Sequence, residues 1–202
     1  MQIRIKSTAL LLLAALLSLT ARAQMSAASE WTFDATHSKI GFVVTHLVIT
    51  EVEGQFHDYE GTVTAANDDF SDAQINFSID VASIDTENEK RDGHLQSPDF
   101  FDAANHPKIT FESTSFEKIE GNRYELKGNL TMRGVTKPVT LTATYAGTVK
   151  DPYGNTKAGF KLEGEVDRFD YGLKWDAATE AGNLVVSREV GLEINVQLKK
   201  KQ

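Results

Sequence analysis

The sequence predicts an all-β protein, an antiparallel meander interrupted once by a short helix. Apolar residues keep a single parity through eight or nine successive segments, the period of a strand with one buried face. Turn residues rather than helix-period stretches separate those segments. Only the stretch from Ser83 to Phe111 breaks the series, and it sets charge and histidine beside two adjacent phenylalanines. A connection of that length exceeds what a hairpin needs, and long ordered connections tend to carry function.

Taken in order, the first element is outside the fold. Arg4 and Lys6 precede an apolar run from Ala9 to Leu19, and Ala21-Arg22-Ala23 follows as an A-x-A cleavage pattern, so residues 1–23 read as a signal peptide. The run is shorter than the roughly 20 residues of a membrane-spanning helix, and no later stretch is continuously apolar enough to serve. Residues 24–202 are therefore expected to form one exported domain, periplasmic or secreted, without a transmembrane anchor. The chain has no cysteine, so it has no disulfide framework and no lipid-attachment cysteine.

The strands then follow. Trp31 to Asp34 opens the series; Ile40, Phe42 and Val44 alternate up to His46; Val52, Gly54 and Phe56 come next. Ala73, Ile75, Phe77, Ile79 and Val81 alternate with Gln74, Asn76, Ser78 and Asp80. After the interruption the alternation resumes at Ile109 and Phe111, then at Tyr124, Leu126, Leu130 and Met132, and at Val139, Leu141, Ala143 and Tyr145. Phe160, Leu162 and Val166 precede the last strand, Val190 to Leu198. Gly121-Asn122 and Pro152-Tyr153-Gly154-Asn155 supply hairpin turns, and all four prolines are expected in connections or at strand edges.

A meander of this kind ends as a sandwich or as a closed barrel. Strands of about 11 residues reach roughly 36 Å and, tilted by about 40°, enclose a tube roughly 28 Å tall, an upper bound if aromatic residues plug an end. The candidate lumen residues are Phe42, Val44, Phe56, Ile75, Phe77, Ile79, Ile109, Phe111, Leu126, Leu141, Phe160 and Leu162. Alternation shows that they share a face; a filled core and a ligand-holding lumen both satisfy it. In the interruption, Glu87 to Gln96 tolerates helix, Thr86 and Glu89 have capping-box spacing, and Pro98 stops it. As a lid, this helix would turn Leu95, Phe100 and Phe101 toward the barrel and bring Lys90, Arg91 and His94 near a polar head; otherwise Arg91 and Asp92 are surface charges and His94 a polar cap.

Charge narrows the partners. Of 21 basic side chains, Arg4, Lys6 and Arg22 fall in residues 1–23, leaving 18 against 29 acidic ones, a formal charge of −11. Nucleic acid is thereby disfavoured, as is a multiply charged anion. No Gly-x-Ser-x-Gly elbow, cysteine nucleophile, His-Glu-x-x-His or phosphate-binding glycine loop occurs. The histidines 37, 46, 57, 94 and 106 lack metal-ligand spacing, so no metal, cofactor or catalytic residue is assigned.

Motifs along nearly all of residues 24–202 carry a family likeness: His37-Ser38, Phe42 and His46; Gly54 and Phe56 before Gly61; Ser83-Ile84-Asp85-Thr86; Arg91-Asp92-Gly93-His94-Leu95; Asp99-Phe100-Phe101-Asp102; Pro107-Lys108-Ile109-Thr110-Phe111; Gly128-Asn129-Leu130-Thr131; Gly134 to Val139; and Arg168-Phe169-Asp170-Tyr171-Gly172. In this order the chain resembles the YceI-like family of exported, lipocalin-like polyisoprenoid-binding proteins. The resemblance implies an extended eight-stranded antiparallel barrel whose lumen holds a long-chain isoprenoid or another amphiphilic lipid under the helical segment. Arg91, His94, Leu95, Phe100 and Phe101 would then join the lumen residues at the ligand. The net acidity favours a neutral head, a quinone or a polyprenol, over a pyrophosphate. Near the end, Val186-Ser187-Arg188-Glu189-Val190 departs from a Val-Gly-Asp-like turn. A ligand-free structural or stress-related interaction protein is the alternative reading, an enzyme acting on the bound lipid a further one, and a homodimer is left open.

Overall fold

The computed structural model describes residues 28–178, 182 and 184–202; the expected signal peptide at 1–23 lies outside them. The described residues form strands β1 (Ser29–Phe33), β2 (Lys39–His46), β3 (Thr50–Phe56), β4 (Tyr59–Ala65), β5 (Gln74–Asp80) and β6 (Ile84–Asp85). Then come helix α1 (Glu89–Gln96) and strands β7 (Lys108–Glu120), β8 (Arg123–Met132), β9 (Val135–Lys150), β10 (Thr156–Asp167) and β11 (Val186–Lys200).

These eleven strands make eight staves. β11 pairs with β1 at Phe33↔Leu198 and with β2 from Asn195↔Lys39 to Val186↔His46, so residues 29–46 are one bent stave. On its other side lie β4, at Trp31↔Val63, and β3, at Ile40↔Phe56, as one stave over residues 50–65. β5 and β6 form the third, through Tyr59↔Ile79 and Phe56↔Ile84. β7 to β11 follow in sequence order, every pair antiparallel, and the β1–β11 pairing closes the ring. The result is an eight-stranded up-and-down barrel, not a sandwich. Closure removes the exposed edges that an open sheet would have to protect.

Up-and-down order sorts the connections onto two ends. Residues 66–73, 121–122 and 151–155 lie at one end, the floor; residues 47–49, 86–107, 133–134, 168–178 and 184–185 lie at the other, the lid end. The floor is closed by an aromatic plug. Phe70 sits with its ring centroid 5.0 Å from that of Trp31 and 5.1 Å from that of Phe160, and Phe116 stacks on Tyr124 at 4.8 Å. The Tyr124 hydroxyl donates to the Asp69 carbonyl at 2.8 Å and fixes the loop that inserts Phe70. The hollow part is therefore shorter than the wall.

Several sequence expectations change. Residues 59–65, not expected as a strand, form β4; Tyr59, Gly61, Val63 and Ala65 do alternate, but glycine and alanine mute the signal. The helix is capped by Asn88, whose side chain accepts the Arg91 N–H at 3.1 Å, instead of by Thr86, because Glu87 takes φ +61° and turns the chain between them. Pro138 lies inside β9 opposite Asn129, in the part of β9 that pairs with β8 but not with β10, where its missing N–H costs no ladder bond. The departure at 186–190 is a register shift within β11: Ser187 Oγ accepts the Thr45 N–H and donates to the Glu189 carbonyl.

The bend in the first stave is pinned by Asp34. Its carboxylate receives hydrogen bonds from the Thr36 N–H and hydroxyl, the His37 ring, Gln197 Nε2 and Lys157 Nζ. Burial alone would raise this carboxyl; the donors, Lys157 foremost, outweigh burial and hold it well below the ordinary carboxylate range. A depressed acid contributes stability above the unfolded carboxylate value of about 3.9 and loses it as pH falls below that. Asp34→Asn should cost about 1–3 kcal/mol in denaturant unfolding at pH 7. The gap to wild type should narrow at pH 2.5.

Candidate functional site

The barrel encloses a cavity of about 400 Å³, within the roughly 300–1,000 Å³ of small-molecule sites. All the lumen residues expected from the sequence line it: Phe42, Val44, Phe56, Ile75, Phe77, Ile79, Ile109, Phe111, Leu126, Leu141, Phe160 and Leu162. They divide by accessibility. Phe56, Ile109, Leu126, Leu141 and Phe160 are buried, whereas Phe42, Ile75, Phe77, Ile79, Phe111 and Leu162 are only half-buried although they face inward. Inward-facing side chains that stay accessible line a void, so the interior is hollow and not filled core.

Glycines on the inner face account for the void. Gly54 lies directly across from Phe42, and a Cβ there would sit 2.3 Å from the Phe42 ring. At Gly128 a Cβ would sit 2.3 Å from the Phe111 ring, and at Gly61 2.7 Å from both Phe33 and Phe77. Each ring occupies the space that a side chain at a neighbouring strand's glycine would need. The wall keeps an aromatic lining without using the central space.

Polar groups gather at the lid end. Arg91, His94, Leu95, Phe100 and Phe101, the lid residues expected from the sequence, all border the cavity there; Lys90 is exposed and does not. Arg91 donates from Nε to the Thr86 hydroxyl at 2.7 Å and from Nη2 to the Thr86 carbonyl at 2.5 Å, and the Thr86 hydroxyl in turn donates to Asp92. His94 Nε2 lies 3.0 Å from Asp99 Oδ2, with its ring edge-on to Phe100 and Trp175. Arg133 bridges the Pro98 and Gly172 carbonyls at 2.7 Å each and ties the lid loop to the turn after β10.

Among the residues at this end that sequence reasoning missed are Arg168 and Trp175. Arg168 is 4 % exposed, and its guanidinium donates to the carbonyls of Leu173, Trp175, Val186 and Ser187. Burial pushes the guanidinium down, opposed by Asp176 and Asp167, and its ring neighbours are Phe169 and Phe100. Its donors are spent on backbone, so it organises the wall. Both residues arise in the long connection between β10 and β11, where no alternation marks a face; the Arg168-Phe169-Asp170-Tyr171-Gly172 motif was the available signal. Phe70, which plugs the floor, was hidden likewise in an aspartate-rich loop. Among the described residues no group of three His, Asp or Glu side chains is placed to hold a metal ion.

A closed antiparallel barrel with an apolar hollow and polar groups at one covered end defines a lipocalin-like binding architecture. The comparisons give the family. A YceI-like domain model matches residues 31–198, and the chain belongs to that family. It is 36% identical over 182 residues to Protein YceI of Escherichia coli O157:H7, covering 89% of this chain and 92% of the relative. The crystal structure of the Campylobacter jejuni YCEI protein is 34% identical, with a TM-score of 0.68 over 78% of this chain and 90% of that one. A polyisoprenoid binding domain from Saccharophagus degradans, implicated in plant cell wall breakdown, shares the fold at 18% identity, with a TM-score of 0.60 over 85% of this chain and 98% of that domain.

Two variants test the geometry. Gly54→Ala should force the Phe42 ring into the lumen, cost about 1–3 kcal/mol, and reduce uptake of an apolar fluorescent dye. Arg168→Met should leave four carbonyls without their donor and cost at least about 2 kcal/mol in denaturant unfolding.

Proposed function

We propose that this protein binds a long-chain isoprenoid or a similar amphiphile in the barrel lumen and carries or stores it outside the cytoplasm. One observation carries the reading: a hollow wall that is almost wholly apolar, with its polar lining residues His46, Thr86, Arg91, His94, Thr110 and Arg168 gathered toward the covered end. That division matches a ligand with one long apolar part and one small polar part. That the Saccharophagus degradans domain is a polyisoprenoid binding domain supports the ligand class. Residues 1–23 serve in this reading as the export signal of a single domain, 24–202.

The head group is neutral, such as a quinone or an alcohol. Arg168 spends its donors on four carbonyls and Arg91 gives two of its donors to Thr86, so the cations nearest the cavity already have partners. A pyrophosphate would bring its charge into a protein whose overall balance is acidic. Tail contacts contribute about 0.8 kcal/mol per buried CH₂ but discriminate poorly between tails of similar bulk. Selectivity falls to lumen length, set by Phe70, and to the polar end.

Native mass spectrometry of protein purified from its own host should show one bound neutral isoprenoid-sized lipid, released by solvent extraction. A bound prenyl pyrophosphate would contradict the head-group assignment; no ligand would contradict the carrier reading. Phe77→Asp should abolish loading, and a folded Phe77→Asp variant that keeps its full lipid would contradict the placement of the tail.

A further inference from the structure

The hairpin between β2 and β3 is built against both local conformation and solvation. The Ile49 N–H donates to the His46 carbonyl at 3.2 Å, closing a two-residue turn whose central residues, Leu47 and Val48, have φ +52° and +67°. Positive φ at both central positions is the turn that Asn-Gly or Asp-Gly fills without strain, and a β-branched residue is among the least suited to it. The β8–β9 turn, with Arg133 at +49° and Gly134 at +73°, has glycine at the second position. At 47–49 the chain instead has Leu, Val and Ile, exposed by 41, 61 and 80 %. They join no part of the core, so neither backbone preference nor burial explains them.

Position supplies the explanation. This tip lies at the lid end, next to the cavity: His46 and Val52, on either side of it, and Val44 line the lumen. The Leu47 N–H donates to the Val185 carbonyl at 2.8 Å, which fixes the hairpin to the connection bordering the cavity beside Val186. The end of the hairpin, residues 45–52, carries no lysine or arginine, only Glu51 and His46 among polar threonines, and Arg188 on the neighbouring strand is paired with Asp167. A surface that accepts three aliphatic side chains without asking for positive charge is a bilayer of low net charge.

We propose that Leu47, Val48 and Ile49 form a membrane-docking tip that inserts into a neutral or zwitterionic lipid surface and brings the lid end of the barrel against it. The proposal rests on the carrier reading, since a lipid cargo must leave and enter a bilayer, and the tip sets the end at which that exchange occurs. Other exposed apolar side chains, Ile119, Val149 and Tyr153, stand singly around the two hairpins of the floor end and serve as the control.

The test replaces Leu47→Asn together with Val48→Gly, the sequence the turn prefers, so the variant should fold with an equal or higher Tm. In flotation with isoprenoid-free phosphatidylethanolamine and phosphatidylcholine vesicles, wild type should float, and L47N/V48G should lose at least about tenfold in partition. Tyr153→Ser should float like wild type. Equal flotation of wild type and L47N/V48G, or no flotation of wild type, overturns the proposal. So does a wild-type dimer in lipid-free sedimentation that L47N/V48G dissolves, which would assign the tip to a second copy of this chain. Extracting lipid from the same preparations separates the two readings: flotation with no extractable lipid retains the docking tip and removes the carrier, while extractable lipid without flotation does the reverse.

Discussion

Phenylalanine rings packed into the space left by glycines of the neighbouring strand are the constraint on which the rest of this structure depends. An eight-stranded barrel is at the size where side chains can fill the interior or leave room for one small ligand. Phe42 over Gly54, Phe111 over Gly128, and Phe33 with Phe77 over Gly61 tip the balance toward room. The same pairs fix strand register, because a slip of one residue would turn each ring outward and bring a larger side chain in. Register, hollow interior and lining chemistry thus share one cause.

The two ends divide the remaining work. At the floor, Phe70 enters from a loop in the left-handed conformation, φ +63°, and meets Trp31 and Phe160, an arrangement that ends the lumen well inside the wall. At the lid end, side chains from three separate connections are tied to one another through Arg91 with Thr86, Arg133 with Pro98 and Gly172, and Arg168 with the carbonyls on either side of the 173–186 segment. Buried or half-buried arginine is costly unless its donors are satisfied. Here backbone carbonyls satisfy much of that demand. The covered end is consequently polar in composition, with many of its guanidinium donors directed at backbone carbonyls.

Much of the wall was legible in the sequence because period-two alternation puts every second residue on one face, and Ile75, Phe77 and Ile79 or Leu126 and Leu141 leave no doubt about which. The staves themselves were less legible. Asp34 to Ser38 and His57-Asp58 break the alternation, so residues 29–46 and 50–65 read as separate pieces although the register makes each one stave. Tyr59 to Ala65 was silent because Gly61 and Ala65 are too small to mark a face. Alternation could not distinguish a filled core from a lumen, since the deciding residues are the glycines that a hydrophobic pattern ignores. Phe70, Arg168 and Trp175 escaped the alternation for another reason: each comes from a connection, and its place is set by what it packs against.

A crystal structure of protein purified from its own host tests the central claim most directly. The account predicts continuous chain-like density along the lumen, passing Phe42, Phe77 and Phe111, stopping at Phe70, and ending in a neutral head beside Thr86 and His94. A lumen closed by rings rotated inward, with no ligand density between them, would contradict it.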